Sequence, residues 1–269
     1  MTKFSLKTQL LLTVGQLPAE IEPWRWAAAS QIGTSHLRSG QPRQDAYSVR
    51  HLANGQLFAI VSDGAGSAEF GRQGAWILCR TLTTRFQVWF QENGELPADE
   101  EIKGWIDDFR DCISHVAEAR EVRPRQFAST LSSITITPSG ILALQVGDSA
   151  LVGRRDGVWE SILWPENGEY ASTTFFVTDP PEPRLNIVRE TASFDAFALF
   201  SDGVGEVALE HVEQRPYTKF FEPMINPIVQ SEEVGRLVQL SKALGNYLDR
   251  PEICERTDDD KTLILISAA

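Results

Sequence analysis

"FAIVSDGAG" (Phe58–Gly66) and "FALFSDGVG" (Phe197–Gly205) are near-copies of one phrase in a chain that shows no other repeat. Each is an apolar run of strand length that stops at Ser-Asp-Gly and places a second glycine two residues later. Either copy alone reads as a strand ending in a turn, because Asp-Gly is a common turn dipeptide. The pair says more: two strands that each end in an exposed carboxylate can be brought by a fold to one acidic site.

Outward from these copies the chain alternates hairpins and helices. "YSVRHLANGQLFAIV" (Tyr47–Val61) reads as two strands joined at Asn54-Gly55, "SSITITPSGILALQV" (Ser132–Val146) as two more turning at Pro138-Ser139-Gly140, and "ALVGRRDGVWESI" (Ala150–Ile162) as a third pair turning at Asp156-Gly157. "TLILISA", from Thr262, is a final buried strand. Ala75, Leu78, Cys79, Leu82, Phe86, Trp89 and Phe90 share one helical face. Ile102, Trp105, Ile106, Phe109, Ile113 and Val116 share a second, and Val234, Leu237, Val238, Leu244 and Leu248 a third. Antiparallel hairpins with clustered helices predict an α+β fold: packed, mostly antiparallel sheets in a β-sandwich with helices on both outer faces. Residues 1–22 precede the pattern and are expected to form an arm, leaving 23–269 as a single domain. The Pro-, Glu-, Asn- and Thr-rich text at about 164–192 is expected to be a surface insertion, a type of loop that often serves as a lid.

Composition narrows the function classes. At 269 residues, 42% hydrophobic and 23% charged, the chain can bury a full core. A formal net charge of −12 opposes a nucleic-acid partner, whose phosphates need a basic footprint. No apolar run reaches the ~20 residues that span a bilayer, so neither a membrane partner nor an address outside the cytoplasm is expected. Cys79, Cys112 and Cys254 are too far apart to form a zinc site or a disulfide framework, and read as reduced structural thiols.

Five segments place carboxylates at strand edges: Asp45 in "QPRQDAY", Asp63 and Asp202 in the repeated phrase, Asp148 in "LQVGDSA", and Asp258, Asp259 and Asp260 in "TDDDKTLILI". Taken singly, the triplet is a solvated loop and Asp148 a turn residue. Taken together, they suit hard divalent cations, which prefer oxygen ligands, and the adjacent glycines let backbone carbonyls approach.

In these motifs the chain resembles the metal-dependent type-2C Ser/Thr protein phosphatases, specifically a bacterial branch. The resemblance runs from about Trp24 to Ala269 through six motifs in the family's order: "GTSHLRSGQPRQDA", "VSDGAGSAEFGRQGA", "FASTLSSITI", "QVGDSALVGRRDG", "LFSDGVGE" and "DDDKTLILI". "WPENGEYASTTFFVTD" resembles the family's flap. The resemblance implies a two-sheet sandwich with flanking helix pairs and a site holding two Mn²⁺ or Mg²⁺ ions, with a third held weakly. Asp63 would bridge the two ions, the Gly64 carbonyl would bind one of them, Asp202 and Asp259 would complete the catalytic set, Asp45 would serve the second ion, and Asp148 the third. Such an ion pair activates water for in-line attack on phosphorus, so no Ser or Cys nucleophile is required.

Two departures from the family stand out. Gly40 occupies the place of a phosphate-binding Arg, which leaves Arg38, Arg43 or His36 to supply the cation, and Ala65 occupies the place of a His proposed as general acid. The expected partners are a phosphorylated protein and a cognate Ser/Thr kinase as counterpart, with the chain acting as a monomer. The alternatives are a phosphatase-like regulatory module that binds without useful turnover, or an enzyme acting on a small phosphoester. The presence of Asp45, Asp63, Asp202 and Asp259 together favours catalysis.

Overall fold

The computed structural model describes residues 24–166 and 174–269; the expected arm at 1–22 and the middle of the 164–192 insertion lie outside the described residues. In chain order the first half runs β1 (Trp24–Gln31), α1 (Thr34–Ser39), β2 (Ala46–His51), β3 (Leu57–Ser62), α2 (Gly71–Glu92), α3 (Asp99–Ala119), β4 (Leu131–Thr137), β5 (Gly140–Val146), β6 (Ala150–Arg155) and β7 (Val158–Leu163). The second half runs β8 (Asn186–Glu190), β9 (Ala196–Phe200), α4 (Asp202–Ala208), β10 (Leu209–Glu210), β11 (Arg215–Pro216), α5 (Thr218–Val229), β12 (Gly235–Arg236), α6 (Val238–Leu248), α7 (Pro251–Cys254) and β13 (Lys261–Ala268).

Two sheets pack face to face, one of six strands ordered β12-β1-β13-β9-β6-β7 and one of five ordered β2-β3-β4-β5-β8. Among the described residues every strand pair is antiparallel except β1 with β12. The period-2 rule divides each strand between two apolar layers. On β3, Leu57, Ala59 and Val61 face the other sheet, while Phe58 and Ile60 face α2 and α3. On β13, Ile264 and Ile266 face inward, while Leu263 and Leu265 meet the cluster beneath α5 and α6. The result is the expected α-β-β-α sandwich with three apolar layers.

The hairpins form where turn chemistry indicated. Asp156 and Gly157 take φ of 52° and 77°, the paired left-handed conformation of a tight hairpin. The Asn54-Gly55 link is longer than two residues and closes through a 3₁₀ turn at Ala53–Gly55. The first two helical faces are buried as predicted, with Phe86 stacked on Phe58 at 4.4 Å and edge-on to Trp105 at 5.0 Å.

The third face is corrected. Val234 precedes the helix and Val238 opens it, both well exposed, so the buried side is Leu237, Ser241, Leu244 and Leu248. The insertion at 164–192 is corrected as well: its last part is β8, paired to β5, and Val177 is fully buried against the α2–α3 layer. Helix α5 was not expected, because Pro223 and Pro227 each remove a backbone donor from its interior; burial of Phe220, Phe221, Ile225 and Ile228 holds it.

Helix α2 crosses the 3₁₀ turn Pro124–Phe127 so closely that a Cβ on Gly74 would collide with the carbonyl of Phe127. Helix propensity alone would favour Gly74→Ala by about 1 kcal/mol. The collision reverses the sign, so this variant is expected to lose about 1–3 kcal/mol of stability, read as a lower denaturation midpoint in urea.

Candidate metal centre

The two copies of Ser-Asp-Gly lie on different sheets. β3 of the five-stranded sheet ends at Ser62 and β9 of the six-stranded sheet at Phe200, so Asp63 and Asp202 leave their strands at a shared edge of the sandwich. Asp148 lies in the short link between β5 and β6, where the chain passes from one sheet to the other. Asp63, Asp148 and Asp202 each bring a carboxylate oxygen within 4.8 Å of the others. Asp148 therefore shares a cluster with Asp63 and Asp202.

Neighbouring backbone and hydroxyl groups fix these residues in place. Thr130, in the "FASTL" motif, donates its N–H to the Asp63 carbonyl at 2.8 Å, and its hydroxyl accepts the Asp63 N–H at 3.0 Å. A Cβ on Gly64 would strike the backbone of Gly71, so the strand end and the start of α2 touch through two glycines. The Thr174 hydroxyl, from the insertion, donates to Asp148 Oδ2 at 2.7 Å. Asp45 is 3% exposed, and its Oδ2 accepts from Ser201 Oγ at 2.8 Å and Thr262 Oγ1 at 2.6 Å.

The Asp triplet divides into three roles. Asp258 is exposed and pairs with Arg38. Asp260 is buried and acts as a hub: Oδ1 accepts from the Gly33 N–H at 2.6 Å and faces His36 Nδ1 at 2.9 Å, while Oδ2 accepts from the Gln44 N–H at 2.5 Å and the Asp45 N–H at 3.4 Å. Asp259 is half-buried, and its Oδ1 accepts from the Asp260 N–H at 2.7 Å. It lies within 4.8 Å of His36 and Asp260, and lines one cavity of about 640 Å³ with Asp202 and Arg38. The hub role of Asp260 is not legible in the sequence, although its partners Gly33, His36, Gln44 and Ser201 all stand inside the quoted motifs.

Burial is the main cause that raises the Asp63 and Asp202 carboxyls well above the usual carboxylate range, with the surrounding aspartates adding to it. Burial also lifts Asp45 to about 6, against the hydrogen bonds from Thr262 and Ser201. It raises Asp148 in the same way, opposed by the bond from Thr174. Among the described residues no Lys, Arg or His forms an ion pair with Asp45, Asp63, Asp148, Asp202 or Asp259. Among the described residues Asp45 Oδ1 and Asp148 Oδ1 are buried without a hydrogen-bond partner. Buried anionic oxygens without protein cations suit a hard divalent ion, so the donor set fits Mg²⁺ or Mn²⁺.

The three cation candidates are placed differently. His36 is 8% exposed and committed through Nδ1 to Asp260. Arg43 is tied to backbone, Nη1 donating to the Ser30 carbonyl at 2.7 Å and Nε to the Asp45 carbonyl at 3.3 Å. Arg38 lines the cavity of Asp202 and Asp259, and its partner Asp258 is 64% exposed at the side chain.

Comparison with known proteins agrees with this geometry. The family model described as protein phosphatase 2C matches residues 32–249. The chain is 34% identical over 248 residues to serine/threonine-protein phosphatase 3 of Escherichia coli (strain K12), covering 90% of this chain and 97% of that one. Its fold is similar to PppA, a key regulatory component of T6SS in Pseudomonas aeruginosa, at a TM-score of 0.65 and 19% identity, over 93% of this chain and 99% of that one. It is also similar to the catalytic domain of the serine threonine protein phosphatase PstP in complex with 2 manganese ions, at a TM-score of 0.59 and 16% identity, over 92% and 99% of the two chains. The six ordered motifs, the two-sheet sandwich and the unpaired carboxylate cluster have one common explanation: the chain belongs to the protein phosphatase 2C family.

Proposed function

We propose that this chain is a divalent-metal-dependent phosphatase that hydrolyses phosphoserine and phosphothreonine in proteins. The observation that carries this reading is the convergence of Asp63, Asp148 and Asp202 from both sheets into one largely enclosed cluster that, among the described residues, has no ion-pairing Lys, Arg or His. When bound, a pair of Mn²⁺ or Mg²⁺ ions supplies the Lewis acidity that activates water and offsets charge on a phosphoryl group. Asp63, Asp202 and Asp259 would hold the pair, with the Gly64 carbonyl and Asp45 completing it. Asp148 would hold a further, weaker ion, and the bond from Thr174 ties its carboxylate to the insertion. Thr130, Ser201, Thr262 and Asp260 keep the carboxylates from spreading apart before the metal arrives. The domain acts as a monomer in the cytoplasm, opposite a Ser/Thr kinase. The described residues contain no helix long and apolar enough to cross a membrane, and Cys79, Cys112 and Cys254 are unpaired.

Protein supplied with Mn²⁺ is expected to hydrolyse an aryl phosphate and phosphothreonine peptides, with activity abolished by EDTA. Asp63→Asn should lower turnover by orders of magnitude in a protein whose circular dichroism is unchanged. A folded, metal-replete wild type without turnover would replace this reading by that of a regulatory binding module.

Among the three cations we assign the phosphoryl contact to Arg38. Its exposed pair with Asp258 is weak enough to give up, whereas Arg43 and His36 are already committed. Loss of a charge-assisted contact of about 1.5–3 kcal/mol predicts a roughly tenfold to hundredfold fall in kcat/KM for Arg38→Ala, together with weaker inhibition by free phosphate. The same assay on Arg43→Ala should show the smaller effect.

The crowded carboxylates also predict a pH signature. Raised folded-state pKa values mean that the metal-free fold binds these protons more tightly than the unfolded chain does. The destabilisation is absent below the ordinary carboxylate value of about 4 and grows as pH rises, until about 6 for Asp45 and over a wider range for Asp63 and Asp202, whose carboxyls are raised well above the usual range. In EDTA, Asp63→Asn should therefore melt above wild type at pH 7.5, and the gap should close at pH 4. Differential scanning calorimetry at the two pH values checks this.

A further inference from the structure

The outer face of α2 carries an aromatic and basic stripe that the metal chemistry does not use. Arg72, Trp76 and Arg80 recur four residues apart and so share one side of the helix. Trp76 is 55% exposed, and the Arg80 guanidinium carbon lies 5.3 Å from its ring centroid. The first turns of α2 and the start of β2 enclose a cleft of about 430 Å³, lined by Arg43, Asp45, Tyr47, Arg72 and Trp76 among others. β2 is the outermost strand of its sheet, so no strand closes that side. The two backbone bonds of Arg43 hold its guanidinium at the cleft wall. Among the described residues, neither Arg72 nor Arg80 forms an ion pair.

Charge makes this patch distinctive. A chain of net charge −12 repels an acidic phosphoprotein at long range, yet here Arg43 and Arg72 share a cleft with the exposed Trp76 and Arg80 lies against its ring. Among the described residues Asp45 is the one acid in the cleft lining, and on the phosphatase reading it serves the metal centre. The cleft therefore borders the carboxylate site at Asp45 and opens onto a cationic surface. Trp and Arg are the residues that most often dominate binding energy at protein interfaces.

On the phosphatase reading given above, we infer that this cleft seats the substrate segment next to the phosphoresidue and selects segments carrying Asp or Glu there. From Arg72 to Arg80 the helix rises about 12 Å, which an extended peptide spans in roughly four residues. Carboxylates within about four residues on one side of the phosphoresidue meet Arg72 and Arg80, and the indole of Trp76 covers the peptide between them.

The test compares Mn²⁺-replete protein on phosphothreonine peptides with Asp/Glu or Lys at those positions, and on an aryl phosphate. Acid-flanked peptides are expected to have at least a tenfold higher kcat/KM than Lys-flanked ones, with the gap shrinking at high salt. The double variant Arg72→Glu/Arg80→Glu should lower the ratio of acid-flanked peptide to aryl phosphate tenfold or more, and Trp76→Ala should raise peptide KM. Equal rates for the two peptide classes, or an unchanged ratio in the double variant, overturns the inference. If wild type turns over nothing, the phosphatase reading fails, and the cleft is judged by fluorescence anisotropy of a labelled acid-flanked peptide. A tenfold weaker Kd in the double variant then supports the cleft as the seat of acidic segments; an unchanged Kd overturns it.

Discussion

Mutual repulsion among carboxylates held at the shared edge of two sheets governs this molecule. Asp63, Asp148 and Asp202 are crowded within 4.8 Å of one another, among the described residues no Lys, Arg or His pairs with them, and their partial burial limits the water that would screen them. Such an arrangement is unstable in isolation. It persists because three apolar layers above, between and below the sheets fix the strand ends. The stability lost at the site is offset by packing elsewhere and recovered when cations bind, because ligand binding to the folded state alone stabilises it.

The rigidity of the site comes from short-range polar bonds to backbone. Asp260 ties the loop that carries Asp45 to the start of β13 by accepting from Gly33, Gln44 and Asp45, with His36 beside it. Ser201 and Thr262, on the neighbouring strands β9 and β13 or immediately beyond them, each give a hydroxyl proton to Asp45. One oxygen of Asp45 is thereby committed while the other has no partner among the described residues. This division between held and free oxygens also appears at Asp148, where Thr174 holds Oδ2 and Oδ1 is unpartnered. The link to Thr174 connects the insertion mechanically to the cluster.

Positive charge is arranged around the cluster at different distances. Arg38 stands on the rim of the cavity shared by Asp202 and Asp259, Arg43 is locked by carbonyls beside Asp45, and Arg72 and Arg80 extend outward along α2. Guanidinium groups suit this gradation, because one donor fork serves phosphate oxygens and carboxylates alike. A strongly acidic domain can in this way present a cationic approach to an acidic site.

By itself the sequence determined whatever depends on near neighbours. The repeated Ser-Asp-Gly endings, the Asp156-Gly157 hairpin with its left-handed φ values, and the apolar faces of α2 and α3 are local patterns, and backbone sterics with periodic burial translate them directly into elements. Tertiary structure decided the rest. Prolines in α5 and polar residues around β8 argue locally against a helix and a strand, yet burial of Phe221 and pairing with β5 outweigh those preferences. The three aspartates of the triplet look alike in sequence, and only the donors at Gly33, Gln44 and Asp45 single out Asp260 as the buried hub. Asp148 joined the cluster because the chain changes sheets there. Strand pairing across long sequence separations sets those distances, and no spacing along the chain encodes them.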